Sequence, residues 1–194
     1  MALSKIDAAN FLTGTIPQGN VANSSLGAVT ALPGAIATGK VLQVLSTAKT
    51  GGFSTTSSSL TDITGLSVAI TPSSSSNKIF ITAYINGLVD ASSQAYGGRY
   101  QLVRGSTEIG KADASGSKQL GTGSPGGQDG QPFTANTTIN FLDSPSSTSE
   151  LTYKIQVAHT QSQVIRVNEA KNNPNDSTFG LKIISTITAY EIAG

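Results

Sequence analysis

Leu151-Thr-Tyr153-Lys-Ile155-Gln-Val157-Ala-His159 is the stretch that decides the fold class. Leu151, Tyr153, Ile155 and Val157 occupy alternate positions, with Thr152, Lys154 and Gln156 between them. Side chains alternate across a strand, so this pattern gives one buried and one wetted face. Outward from it, the same period holds in Leu66/Val68/Ile70, Ile79/Ile81/Ala83/Ile85, Ile139/Phe141 and Leu181/Ile183/Ile187/Ala189. Val41–Leu45, Tyr100–Val103 and Val164–Val167 give shorter versions. No stretch keeps a helical period beyond a couple of turns.

Turn-forming clusters separate these runs: Thr71-Pro-Ser-Ser-Ser-Ser-Asn77, Asp143-Ser-Pro-Ser-Ser147 and Asn172-Asn-Pro-Asn-Asp176. Arg104-Gly105-Ser106 reads as a tight hairpin between two strands. Many short strands with regular turn signals predict an all-β chain, an antiparallel β-sandwich of jelly-roll kind over residues 40–194. Strands are expected near 41–46, 62–70, 78–88, 99–104, 107–110, 134–142, 151–159, 163–168 and 179–192. If each reverses direction, connections 47–61, 90–98, 111–133 and 160–162 share one end. Connections 71–77, 105–106, 143–150 and 169–178 then share the other, where the first strand begins.

Residues 1–39 differ. Ile6, Phe11, Ile16, Val21, Leu26, Ala31 and Ile36 recur every five positions, a spacing that fits neither a helix nor a flat strand. Two readings stand: chance within an extended, small-residue arm, or a repeating stalk turning one residue per rung toward partner chains. Either way, so few large apolar groups cannot form a private core, and the segment reads as an anchoring arm. Ile6, Phe11, Ile16, Val21 and Leu26 are its expected anchoring or oligomer contacts.

Composition removes several function classes. The chain has no cysteine, hence no disulfide framework, thiolate metal site or cysteine nucleophile. Charged residues are 12% and the net charge is +1, so nothing draws the chain toward nucleic acid or anionic lipid. No run has the length of a signal peptide core or a membrane span, so a soluble protein made in a cytoplasm is expected.

Motifs that carry chemistry are few. Gly121-Thr-Gly123-Ser-Pro-Gly126 matches G-x-G-x-x-G, but Pro125 interrupts it and Gly127-Gln-Asp-Gly-Gln-Pro132 continues as loop. A dinucleotide site needs a helix there, whose terminal N–H groups meet the phosphates, so this reads as a flexible loop. His159 is the only histidine, which leaves no histidine cluster for a metal, and it reads as a strand-end side chain at the core rim. No Gly-x-Ser-x-Gly elbow occurs, and no paired carboxylates suggest a glycan hydrolase. The expectation is no enzyme, no cofactor and no metal. Sequons at Asn23, Asn136 and Asn175 carry no meaning without secretion. Tyr96, in the glycine-bounded loop before Arg99, and Gln128 and Asp129 in the glycine-rich loop fall at the same predicted end. Loops on a rigid scaffold commonly carry function, and these four are the candidate contacts to a surface glycan.

Four segments occur in one order: Gly65-Leu-Ser-Val-Ala-Ile-Thr-Pro72-Ser-Ser-Ser-Ser-Asn-Lys-Ile79, Leu102-Val-Arg-Gly-Ser-Thr-Glu-Ile109, Phe141-Leu-Asp-Ser-Pro145 leading to Thr152-Tyr-Lys-Ile-Gln156, and Ser185-Thr-Ile-Thr-Ala-Tyr-Glu-Ile192. Their succession resembles a β-sandwich module of tail-fibre and other virion surface proteins of tailed bacteriophages, over about Lys40 to Gly194. Asn10-Phe-Leu-Thr-Gly-Thr-Ile-Pro17 is similar to low-complexity shaft segments of phage fibres. Asn168-Glu-Ala-Lys171 and the Gly121–Pro132 loop depart from the pattern. The resemblance implies a non-enzymatic virion component, usually trimeric, assembled in the bacterial cytoplasm with other virion proteins. It leaves two roles: a short fibre whose head attaches to the host surface, or a capsid decoration protein that clamps or covers the head. Neither involves nucleic acid or membrane insertion.

Overall fold

A computed structural model describes residues 40–90, 97–127, 135–159, 163–171 and 182–194. The arm expected over residues 1–39, with Ile6, Phe11, Ile16, Val21 and Leu26, lies outside the described residues. Among those described there is no helix. In chain order the strands are β1 (Val41–Lys49), β2 (Phe53–Thr55), β3 (Thr61–Ile70), β4 (Lys78–Asp90), β5 (Gly98–Arg104), β6 (Thr107–Ile109), β7 (Gly126–Gly127), β8 (Ala135–Asp143), β9 (Leu151–His159), β10 (Val164–Val167) and β11 (Ser185–Ile192). Two sheets form, and every pairing is antiparallel except the short contact of β7 with β4. The all-β sandwich expected from the alternating pattern is what the chain adopts.

β4 is the spine of the first sheet. Along one side β11 pairs with its first half, Lys78 to Tyr84, and β10 with its last turn of ladder, Gly87 to Asp90. β1 lies outside β11 and β2 outside β10. Along the other side β8 pairs with Ile79–Gly87, and β7 with Leu88 and Val89. The second sheet runs β3-β9-β5-β6.

The inward faces are those the period of two selects. Ile79, Ile81, Ala83 and Ile85 of β4 and Ile187 and Ala189 of β11 are buried with Tyr153, Ile155 and Val157 of β9 and Tyr100 and Leu102 of β5. Each large apolar side chain so buried contributes roughly 1.5–3 kcal/mol. That supplies the driving force in a chain with few charges. Tyr100 crosses the core toward the first sheet, where a Cβ at Gly87 would overlap its hydroxyl. Glycine at that position lets the sheets close around a full-length tyrosine.

Strict reversal of direction holds through most of the chain and fails in three places, the slightest being two-residue β7, which runs parallel to β4 and so the same way as β6 before it. β10 and β11 are both antiparallel to β4 and so run the same way, one following the other along the same side of it. β1 and β2 likewise run the same way, broken at Thr50–Gly52 inside the connection expected to span 47–61. The single strand expected over 179–192 begins at Ser185, and its direction is opposite to the one parity gives. Connection 169–178 therefore does not join two ends at the near side. Its described beginning turns back, with Lys171 Nζ 3.9 Å from Asp90 Oδ1 at the end of β4.

Asn168 is the physical reason for the two larger breaks. It is wholly buried and sits at φ +60°, a left-handed conformation that asparagine tolerates better than most residues. Its N–H donates to Asn86 O at 2.8 Å. Its Nδ2 donates to Lys49 O at 2.8 Å and Gly51 O at 3.3 Å, and its Oδ1 accepts from Ser185 Oγ at 2.6 Å. One side chain thus stitches the break between β1 and β2 to the break between β10 and β11. The other expected placements agree with the ladder directions: 90–98 and 160–162 leave from the far end of β4 and β9, and 71–77, 105–106 and 143–150 from the near end.

The near end is tightly closed. Ala193 N–H donates to Lys40 O at 2.9 Å, and Gly194 N–H to Asn77 Oδ1 at 3.1 Å. Glu191, 1% exposed, accepts from Asn77 Nδ2 and Gln43 Nε2 at 2.6 Å and from Ser73 N–H at 2.6 Å and Oγ at 2.8 Å. Burial pushes its carboxyl pKa up, but donors from Asn77, Gln43 and Ser73 outweigh it and hold the value at about 2. Nearby, Asp143 accepts from Tyr153 Oη at 2.7 Å and Arg104 Nη1 at 2.6 Å.

Candidate functional site

The far end is built differently, and the flanks of its loops converge there. Gly97 and Gly98 follow residues 91–96, Gly126 and Gly127 precede 128–134, and His159 and Gln163 bracket 160–162. Ser124 Oγ donates to Gly98 O at 2.8 Å, and a Cβ on Gly98 would crowd Pro125 and Ile165. Tyr100 N–H donates to Gly123 O at 2.8 Å, while Thr122 N–H donates to Tyr100 O at 2.8 Å. The glycine-rich motif is thus welded as backbone to β5. It opens no helix, as Pro125 foretells, and its last glycine, Gly126, begins β7.

Of the four candidate contact residues, Tyr96, Gln128 and Asp129 lie outside the described residues. Arg99 is described, and half-buried in β5. Its Nη1 donates to Leu120 O at 2.7 Å, so its guanidinium holds the 111–122 segment against the sheet edge. That is a tethering contact which sequence spacing does not show. His159 is a buried strand-end residue, its Nε2 against Thr56 O and its N–H donating to Ser57 O at 3.0 Å.

Sequence reading missed a charge cluster on this rim. Arg166 Nε contacts Asp90 Oδ2 at 2.9 Å and Arg166 Nη1 lies 3.7 Å from Glu169 Oε2, with Lys171 completing the group on Asp90. In a chain with 12 basic and 11 acidic residues, five charges meet once Lys49 is included. Burial lowers the Lys49 pKa, and the Glu169 carboxylate opposes that shift. No local pattern announces the cluster, since Asp90 and Arg166 meet only through the β4–β10 ladder.

A second feature, on the outer face of the second sheet, had a visible signal in the lone Gly65 within a strand pattern. Asp62 pairs with Gln156 and Ser67 with Lys154, so Ile63–Leu66 stand opposite Ile155 alone, with Gly65 at φ +81°. The resulting hollow, about 350 Å³, is lined by Asp62, Ile63, Thr64, Gly65, Ser67, Thr152 and Lys154. Asp62 accepts from Lys154 Nζ and Gln156 Nε2, both at 2.7 Å. The Lys154 hydrogen bond is the main cause of its lowered pKa. These groups satisfy one another, and no aromatic ring lines the hollow for a sugar to stack on. Among the described residues no three of His, Cys, Asp and Glu cluster as metal ligands.

No protein-family model matches the chain, and no curated protein matches it in sequence.

Proposed function

We propose that the chain is a non-enzymatic structural protein of a bacteriophage virion. In this reading it is a short trimeric fibre, held to the particle through residues 1–39, whose sandwich is a head for host-surface attachment. The observation that best supports it is the polarity of the sandwich. Lys40, Ala193 and the short turns at 71–77, 105–106 and 144–150 share the near end, which is sealed by hydrogen bonds from neutral donors to the Glu191 carboxylate. The flanks of 91–96, 128–134 and 160–162 share the opposite rim. A protein attached at one end and recognising at the other needs that division. Tyr96, Gln128 and Asp129 are the proposed glycan contacts, and Arg99 fixes the 111–122 segment through Leu120 O.

The test is alanine substitution at Tyr96, Gln128 and Asp129 together, with host adsorption measured on purified particles that assemble normally. Adsorption is expected to fall at least tenfold. Unchanged adsorption by intact particles removes the attachment reading. Copy number by quantitative mass spectrometry then tests the decoration alternative, which requires a number matching the coat lattice rather than a small set of fibres.

A further inference from the structure

Near its sealed end the first sheet is four strands wide, in the order β1-β11-β4-β8, and its outermost strands are β1 and β8. Neither has a ladder partner on its outer edge among the described residues. Natural sheets usually guard such edges with lysine, proline or a bulge in mid-strand. Here the only charged residue of β1 is Lys49 at its end, and the only one of β8 is Asp143, buried and bonded to Tyr153 and Arg104. β1 is irregular only at its start, between Val41 and Gln43. Among the described residues both edges are open.

The outward face between these edges is ordered in rows. Val44 stands opposite Tyr190, Tyr190 opposite Phe80, and Phe80 opposite Leu142. The Phe80 and Tyr190 rings lie 6.0 Å apart in the middle of the row. Its two ends, Val44 at 51% and Leu142 at 49%, are the most exposed large apolar side chains among the described residues. The next rows are Ser46, Thr188, Thr82, Asn140 and then Ala48, Thr186, Tyr84, Thr138, so none of the twelve positions is charged. Apart from exposed Lys78, opposite Ile192 at the near margin, the face is uncharged, and with half-exposed apolar groups at both sides it gives a charged partner little to select. A second copy meets it without repulsion.

Strand direction decides how that copy stands. β1 and β4 run one way and β11 and β8 the other, so the two edges are opposed. A neighbour standing alongside and pointing the same way therefore offers its β1 antiparallel to β8. That is a head-to-tail contact, the kind that closes into a ring about an axis along the strands. Pairing β1 with β1 in antiparallel fashion would invert one copy and send its Lys40 to the opposite end. We infer that copies of this chain associate through β8 of one and β1 of the next, carrying the apolar row from Leu142 onto Val44 of the neighbour. This rests on the one-ended, trimeric attachment proposed above, and the closed ring has three copies.

The absence of native cysteine makes the test direct. In the full chain, V44C and L142C are made singly and together and treated with a short bismaleimide. The double variant is expected to give dimers and trimers on a denaturing gel and nothing larger, and each single variant only monomers. Dimers from V44C alone would establish twofold pairing and overturn the inference, as would an open-ended ladder from the double variant. Sedimentation supplies the second arm. L142K is expected to convert trimers to monomers with an unchanged β-sheet circular dichroism spectrum, and a wild-type monomer at micromolar concentration overturns the inference. Loss of adsorption in the loop variants with cross-linking intact would separate attachment from assembly, since the two readouts use opposite ends of the molecule.

Discussion

The two ends of the sandwich solve the same problem, placing acid groups at the margin of an apolar core, in opposite ways. At the near end Glu191 is 1% exposed and held by neutral donors from Gln43, Ser73 and Asn77, with no ion pair to a cation among the described residues. At the far rim Asp90 keeps some contact with water and is balanced by Arg166 and Lys171. The difference follows from ladder length. Seven or eight register pairs tie β11 to each of its neighbours, which fixes Glu191 beside Gln43 and the 71–77 turn. Only three or four pairs hold β10 to each of its neighbours, and there the charges and Asn168 supply the order.

The largest expected effect breaks the near end. E191A takes the carboxylate from buried Asn77, whose Nδ2 keeps only Ser73 Oγ at 3.1 Å, and from exposed Ser73, and should cost about 2–3 kcal/mol, at roughly 1–3 kcal/mol per buried group left short of a partner. A denaturant midpoint within error of wild type would mean that water replaces the carboxylate there. The same group gives the acid limit. Its folded pKa, about 2, lies below the ordinary 4.5, so its contribution is fully present above pH 4.5 and is lost as pH falls toward 2. Unfolding followed by near-ultraviolet dichroism should show that loss in the wild type and not in E191Q.

Next comes the seam. N168A removes the bonds to Lys49 O, Gly51 O and Ser185 and puts alanine at a positive φ, for an expected loss of about 2 kcal/mol. Amide exchange should quicken first in β2 and β10, and uniform quickening would argue against a local pin. The smallest effect belongs to the rim. R166M removes one partner of a partly exposed cluster that still has Lys171, so about 1 kcal/mol is expected, diminishing in high salt. A salt-independent loss would assign the effect to packing of the arginine stem.

How far the sequence could be read follows the same division. The core faces of β4, β9 and β11 were legible because period two is a local signal, and the parity of Ile187 and Ala189 even puts Glu191 on the inward face. What holds Glu191 was not, since Ser73 lies 118 positions away and Asn77 lies 114. Two same-direction breaks escaped parity because each depends on Asn168, one residue whose backbone conformation no alternating pattern encodes. At the rim, the tether made by Arg99 was not legible either. Its partner, Leu120 O, is a backbone atom, and backbone atoms leave no trace in side-chain patterns.

β4 has one more consequence, for the order in which the molecule can be made. All four strands that bond to it, at 126–127, 135–143, 164–167 and 185–192, are synthesised after it. A nascent chain therefore carries thirteen β-forming residues, Lys78–Asp90, with both edges bare until β7 and β8 are made, and with the edge facing β11 bare while about a hundred more are added. Closure waits for Ile192, through contacts of high sequence separation that form slowly. A ribosome stalled before Ser185 would hold a spine paired with β8 but still bare along the edge that β11 covers, the species on which a chaperone would be expected to act.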